Sequence, residues 1–178
     1  MAQLNSLQTS GSFSIPITPR SGSSSIGYMW FNTSTKKIQY GFNGSAWSSG
    51  GNMINSRRCH AGAGDSSSST FTVGYNNLTE NYNGTSWSSP AGSDLSILRC
   101  GPAGAGTQNA ALAIGGYDGN NSINVSITEE YNGASWSSGG SLSTARFYLA
   151  AAGIQSAALA FGGDDDINPL SCTEEYDG

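Results

Sequence analysis

The chain has 178 residues, of which 11% are charged, and a net charge of -5. Soluble domains usually carry about 25% charged residues. Helix formers are scarce beside the 25 Gly and the still more frequent Ser, which excludes a coiled coil and argues against a helical bundle.

An acidic surface repels phosphate backbones, so nucleic acid is not an expected partner. Aromatic residues at 10%, with four Trp and eight Tyr, argue against disorder. In chain order, residues 1–26 are Ser-, Gly- and Pro-containing with almost no charge. They read as a flexible or docking N-terminal arm. No basic region or apolar run of a signal peptide opens them, so either export by that route is not expected or the start shown is not the native one. Residues 27–41 read as a β-hairpin module: apolar strand Tyr28–Phe31, polar turn Asn32–Lys37, strand Ile38–Tyr40.

From residue 42 the chain repeats itself. Aromatic-Asn-Gly-x-small-Trp occurs as FNGSAW (42–47), YNGTSW (82–87) and YNGASW (131–136), and Tyr176-Asp177-Gly178 starts a fourth copy. The aromatic positions Phe42, Tyr82, Tyr131 and Tyr176 are 40, 49 and 45 residues apart. Other landmarks keep phase. Arg57, Arg99 and Arg146 follow Trp47, Trp87 and Trp136, and Gly64, Gly106 and Gly153 lie seven residues after each Arg. Gly74, Gly116 and Gly163 come next, and Thr-Glu-x-Tyr then places Glu80, Glu129 and Glu174. The cycles are approximately 42–81, 82–130 and 131–175.

Each cycle has room for four short strands. They are the segment after Trp, the Arg-to-Gly segment, an apolar run such as QSAALAFGG, and an alternating segment ending in Thr-Glu-x-Tyr. Asn-Gly is the strongest short hairpin signal, and a type I′ turn is expected at each, with Tyr and Trp on opposite sides of it. The first cycle departs: Val73 stands where a paired glycine is due before Gly74, and its gap to Tyr82 is only eight residues. No apolar run approaches the roughly 18 residues of a membrane-spanning helix.

An apolar run, Gly-Gly, a gap, Tyr-Asn or Tyr-Asp, Trp and a downstream Arg together resemble the kelch repeat. That resemblance implies an all-β fold of kelch-like β-propeller blades, one four-stranded blade per cycle. About three repeats are too few to close a propeller of four to eight blades. The expectation is therefore a fragment of a longer protein, or several chains completing one another. The YNGxSW and AALAFGG wording, and the Gly27–Tyr40 hairpin, also resemble repeats and modules of bacteriophage tail-fibre and virion-attachment proteins, marine ones especially. That resemblance implies a virion protein binding other virion proteins or a host surface glycan, as a homo-oligomer. A bacterial cell-surface or secreted adhesion module is the alternative, and a propeller enzyme the remote one.

The three Trp are expected to pack between blades, with exposed sugar stacking as the alternative. The in-phase Arg and Glu are expected to form bidentate, partly buried ion pairs. The variable loops Tyr117–Asn124 and Asp164–Leu170 are the expected binding elements. No catalytic, cofactor or metal residue stands out. Cys59, Cys100 and Cys172 lack zinc or disulfide spacing, His60 has no nucleophile elbow near it, and Asp164–Asp166 lack EF-hand spacing. The run 101–106 (GPAGAG) mimics a phosphate loop without its Lys, and reads as a closely packed strand. Asn-x-Ser/Thr sites at Asn32, Asn43, Asn77, Asn83 and Asn124 are expected to carry no glycan.

Overall fold

A computed structural model describes the strands at 15–17, 26–32 and 37–43, residues 47 and 49, and all residues from 50 to 178. The protein is all-β, with no helix among the described residues and therefore none able to cross a membrane. Among the described residues all strand pairs are antiparallel, and no sheet closes on itself. It divides into two units, Met1–Ser49 and Gly50–Gly178.

The N-terminal unit holds β1 (Ile15–Ile17), β2 (Ile26–Asn32) and β3 (Lys37–Asn43) in the order β1-β2-β3. The hairpin pairs Ile26 with Asn43 through to Asn32 with Lys37, longer at both ends than the sequence suggests. The segment 1–26, expected as an arm, contributes β1, which pairs Ile15 with Met29. Pro16 has no N–H to give a second neighbour, which suits an edge strand; apart from Ile26, which begins β2, the rest of the segment lies outside the described residues. The hairpin also takes up Phe42 and Asn43, which lie in the first unit.

The second unit is three successive meanders. Sheet I comprises β4 (Ala61–Ser66), β5 (Ser69–Val73), β6 (Thr79–Tyr82) and β7 (Trp87–Ser88). After β8 (Arg99–Cys100), sheet II comprises β9 (Ala103–Thr107), β10 (Ala110–Ile114), β13 (Thr128–Tyr131) and β14 (Trp136–Ser138). Between β10 and β13, β11 (Tyr117–Asp118) pairs with both β8 and β12 (Ile123–Asn124) in a small separate sheet. Sheet III comprises β15 (Ala150–Ile154), β16 (Ala157–Phe161) and β17 (Thr173–Tyr176). Each four-stranded meander thus starts after the Arg and ends at the next Trp.

Alternation explains how the sheets stack. Successive side chains on a strand point to opposite faces, so on β10 Ala111 and Ala113 face sheet I while Leu112 and Ile114 face sheet III. The first core joins Phe71 and Val73 of sheet I to Ala111, Ala113 and Tyr131 of sheet II. The second joins Leu112 and Ile114 to Ala158 and Ala160 of sheet III. A large pair on one face meets an alanine pair on the next, so the faces interdigitate without overpacking. Burial on both faces is also why AALAI reads as an unbroken apolar run.

Two local expectations are corrected. The Tyr82↔Trp87 and Tyr131↔Trp136 pairs do flank tight turns, but only Gly84 (φ 90°) and Gly133 (φ 91°) are left-handed there. A type I′ turn needs positive φ at both central residues. Here the Asn83 side-chain oxygen accepts the N–H groups of Thr85 and Ser86, and Asn132 does the same for Ala134 and Ser135. The asparagines serve as caps and need no positive φ. The second correction is one of register. Val73 and Ile114 end equivalent strands, so Gly74 corresponds to Gly115 and Gly162, and Tyr75 is the partner of Gly116 and Gly163. Tyr75 has a positive φ (73°), as do Gly116 (111°) and Gly163 (96°).

Candidate binding surface

The structure brings the in-phase charges together inside each repeat. Arg57 pairs with Glu80, Arg99 with Glu129 at 2.6 Å, and Arg146 with Glu174. All three guanidinium side chains are fully buried. None forms the expected two-bond fork. One terminal nitrogen binds the carboxylate and the other serves main-chain carbonyls: Leu78 for Arg57, Ala113, Gly115 and Ile127 for Arg99, Gly162 and Cys172 for Arg146. Each carboxylate also accepts the N–H three residues before its Arg, from Ile54, Ser96 and Ser143. The Arg therefore satisfies carbonyls at the loop ends of the inner strands, a place where unpaired groups are costly.

These bonds give the fold a pH dependence. Burial raises the Glu80 and Glu174 carboxyls, but the N–H donors of Ile54, Asn55 and Ser143 and the adjacent Arg57 and Arg146 outweigh it and hold both below the usual value of 4.5. An unfolded chain takes up these protons first, so stability is full above about pH 4.5 and falls as the pH drops through the lowered folded values. Thermal melts between pH 7 and 3 should show a melting temperature that declines only below that point.

The Trp divide. Trp136 donates its indole N–H to Thr79 Oγ1 (2.8 Å) and Ser93 O (3.0 Å), stacks on Tyr131 at 4.8 Å, and lies against Phe71 of sheet I at 6.1 Å. Trp87 donates to Gly51 O (3.0 Å) and stacks on Tyr82 at 5.0 Å. Trp47, expected between sheets, is fully exposed. Among the described residues no repeat sheet precedes it to supply a cradle like that of Thr79 and Ser93. Tyr131 is buried, and Tyr176 donates its hydroxyl to Glu130 of sheet II. Gly116 donates its N–H to Arg146 O (2.8 Å) of the next repeat, and Gly163 lies against Phe147 O and Leu149.

Two in-phase glutamines join the sheets and have no role in the sequence reading. Gln108 donates to Thr70 O (3.0 Å) and Tyr82 O (2.8 Å) of sheet I, and Gln155 to Ala111 O (3.1 Å) and Tyr131 O (2.7 Å) of sheet II. Each clamps two neighbouring strands of the preceding sheet. Gln155→Ala is expected to cost about 1–3 kcal/mol, the loss of hydrogen bonds to partly buried carbonyls, read as a lower denaturant midpoint at unchanged slope.

The positions just after each Arg behave differently. They are Arg58-Cys59, Cys100-Gly101 and Phe147-Tyr148, and they vary where the scaffold repeats. They meet at one end of the stack. Gly101 N donates to Cys59 O (2.6 Å), and Tyr148 N to Gly101 O (2.8 Å). Arg58 lies over the Tyr75 ring at 5.4 Å, Tyr117 approaches Phe147 at 6.2 Å, and Phe147 approaches Tyr148 at 4.6 Å. Tyr148 is 60% exposed, and its hydroxyl lies 3.3 Å from the Cys59 sulfur. Burial first, and then Cys59, push the Cys100 thiol up to about 11. Hydrogen bonding to Cys59 leads in raising the Tyr148 phenol to about 12. Cys100 and Tyr148 therefore stay protonated at neutral pH.

The expected binding loops spring from the same end. In 117–124 the Asp118 carboxylate accepts Asn120 N, Asn121 N and the Asn121 amide. In 164–170, Asp164 accepts Asp166 N, while Asp165 accepts Ile167 N and Asn168 N. Phe147 and Asp164 exchange main-chain bonds, as β8 and β11 do one repeat earlier. Among the described residues no group of three His, Cys, Asp or Glu side chains is placed to hold a metal. The turn carboxylates serve N–H groups instead. Each loop exposes an isoleucine, Ile123 or Ile167. No protein-family model matches the chain, and no curated protein matches it.

Proposed function

We propose that the chain is a bacteriophage virion structural protein of the tail-fibre or attachment type, with three kelch-like blades as its scaffold. It binds a host surface glycan or a neighbouring virion subunit through the loop end and carries out no reaction. One observation carries the reading. The Arg–Glu pairs that repeat are spent inside the stack, whereas residues that differ between repeats gather at one end, around Tyr75, Tyr117, Phe147 and the exposed Tyr148. Aromatic faces with polar turns beside them suit the alternating apolar and hydroxyl faces of a sugar. Modest contacts of this kind gain strength from multiple copies in a homo-oligomer.

The test is gold labelling of purified native particles with an antibody against this chain. Label on tail fibres or tips supports attachment, whereas label on the capsid shell makes it a decoration protein. Label on a bacterial surface, with bare particles, replaces the reading with the adhesion module.

A further inference from the structure

The outward face of sheet III is built like one that is covered elsewhere in the same molecule. On β16 Ala158 and Ala160 are buried against sheet II, while Leu159 and Phe161 are 42% and 40% exposed. They hold the positions of Leu112 and Ile114, which sheet III buries. The polar links recur with the same phase. Gln155 reaches the carbonyls of Ala111 and Tyr131, for which the sheet III counterparts are those of the paired Ala158 and Tyr176. Leu95 N donates to Asn77 O and Leu142 N to Ser126 O, so Ser171 O is next in the series. Gly101 N donates to Cys59 O and Tyr148 N to Gly101 O, so Tyr148 O is next.

We propose that this face is a docking surface for one further sheet of the same repeat type, whose first hairpin carries a glutamine and whose receiving face carries paired alanines. The occupant is specified by what covers sheets I and II, because both interfaces use that same set of contacts. Sheet I of a second copy does not supply it. Ser66 stands at the glutamine position, and Thr70 and Thr72 stand where the alanine pairs belong. Their hydroxyls are committed to Ala63 O and Ala61 O. Threonine in place of alanine also overfills a space that must admit Leu159 and Phe161.

The test extends the full chain by repeating residues 134–178 after Gly178, which continues the Tyr-Asp-Gly of 176–178 in phase. Amide exchange across Ala157–Phe161 should slow by about tenfold or more relative to the unextended chain. Changing the glutamine of the added repeat to Ala, or Leu159→Asp in the extended chain, should remove most of that protection. Leu159→Asp in the unextended chain should lower its melting temperature less than in the extended chain, since the side chain there is 42% exposed. Protection that fails to rise, or that survives both changes, overturns the proposal. So does an unextended chain that sediments as a dimer dissolved by Leu159→Asp, because a second copy then covers the face.

Discussion

Arg99→Leu is expected to lower stability by about 3–5 kcal/mol, because it strands a buried carboxylate without its counter-charge. Domains are typically stable by only about 5–15 kcal/mol, so the variant should melt far below the parent or fail to fold. Glu129 is 4% exposed, and Arg99 also serves the carbonyls of Ala113, Gly115 and Ile127. Burial lowers the Arg99 pKa, and Glu129 opposes that change. The double variant Arg99→Leu/Glu129→Leu separates the two contributions. It should recover the part due to the stranded charge and leave the part due to the orphaned carbonyls. Paired melts of the two variants measure both, and an Arg99→Leu melt equal to the parent would show that the buried pair adds no net stability.

Gly153→Ala is the second large effect, expected to cost about 3 kcal/mol or more. Gly153 has φ 123°, a region nearly reserved for glycine, and an added Cβ would meet Ala157 O at 2.3 Å and the Ala158 Cα at 2.7 Å. Both obstacles are backbone of the paired strand β16, so no side chain can swing aside. Gly92→Ala is the control. Its φ is also positive, at 77°, but nothing lies within 4 Å of the added atom. It should cost only about 1 kcal/mol, as conformational strain alone does. Urea unfolding of the two variants isolates the collision from the strain, and equal losses would mean that the sheet hairpin relaxes.

Phase made much of the scaffold readable. Arg57, Arg99 and Arg146 and Glu80, Glu129 and Glu174 keep fixed places in each cycle, and a chain with few charges places them where buried carbonyls need donors. Gln108 and Gln155 keep phase equally well, yet a polar residue beside a hairpin glycine looks like ordinary turn chemistry. Only the neighbouring sheet shows what the amide bonds. The surface around Tyr148 was hidden for the opposite reason. Arg58-Cys59, Cys100-Gly101 and Phe147-Tyr148 share no residue type at either position, so no pattern links them until the sheets stack. The one-residue shift at Gly74 arose because Tyr75 accepts a left-handed φ that a sequence reading reserves for glycine.

The amino-acid order carried whatever local chemistry controls. It specified antiparallel meanders, hairpins closed between Tyr and Trp, and a period that returns the same residues to the same strand. Strand alternation and turn residues act over a few positions, and they suffice for that. Only the packing of sheet on sheet decided which partner each face meets, that Trp47 is exposed while Trp136 is cradled by Thr79 and Ser93, and that Leu112 is buried while Leu159 is 42% exposed. Those outcomes depend on which sheet lies next in space, and identical local sequences such as AALA in sheets II and III cannot encode that difference.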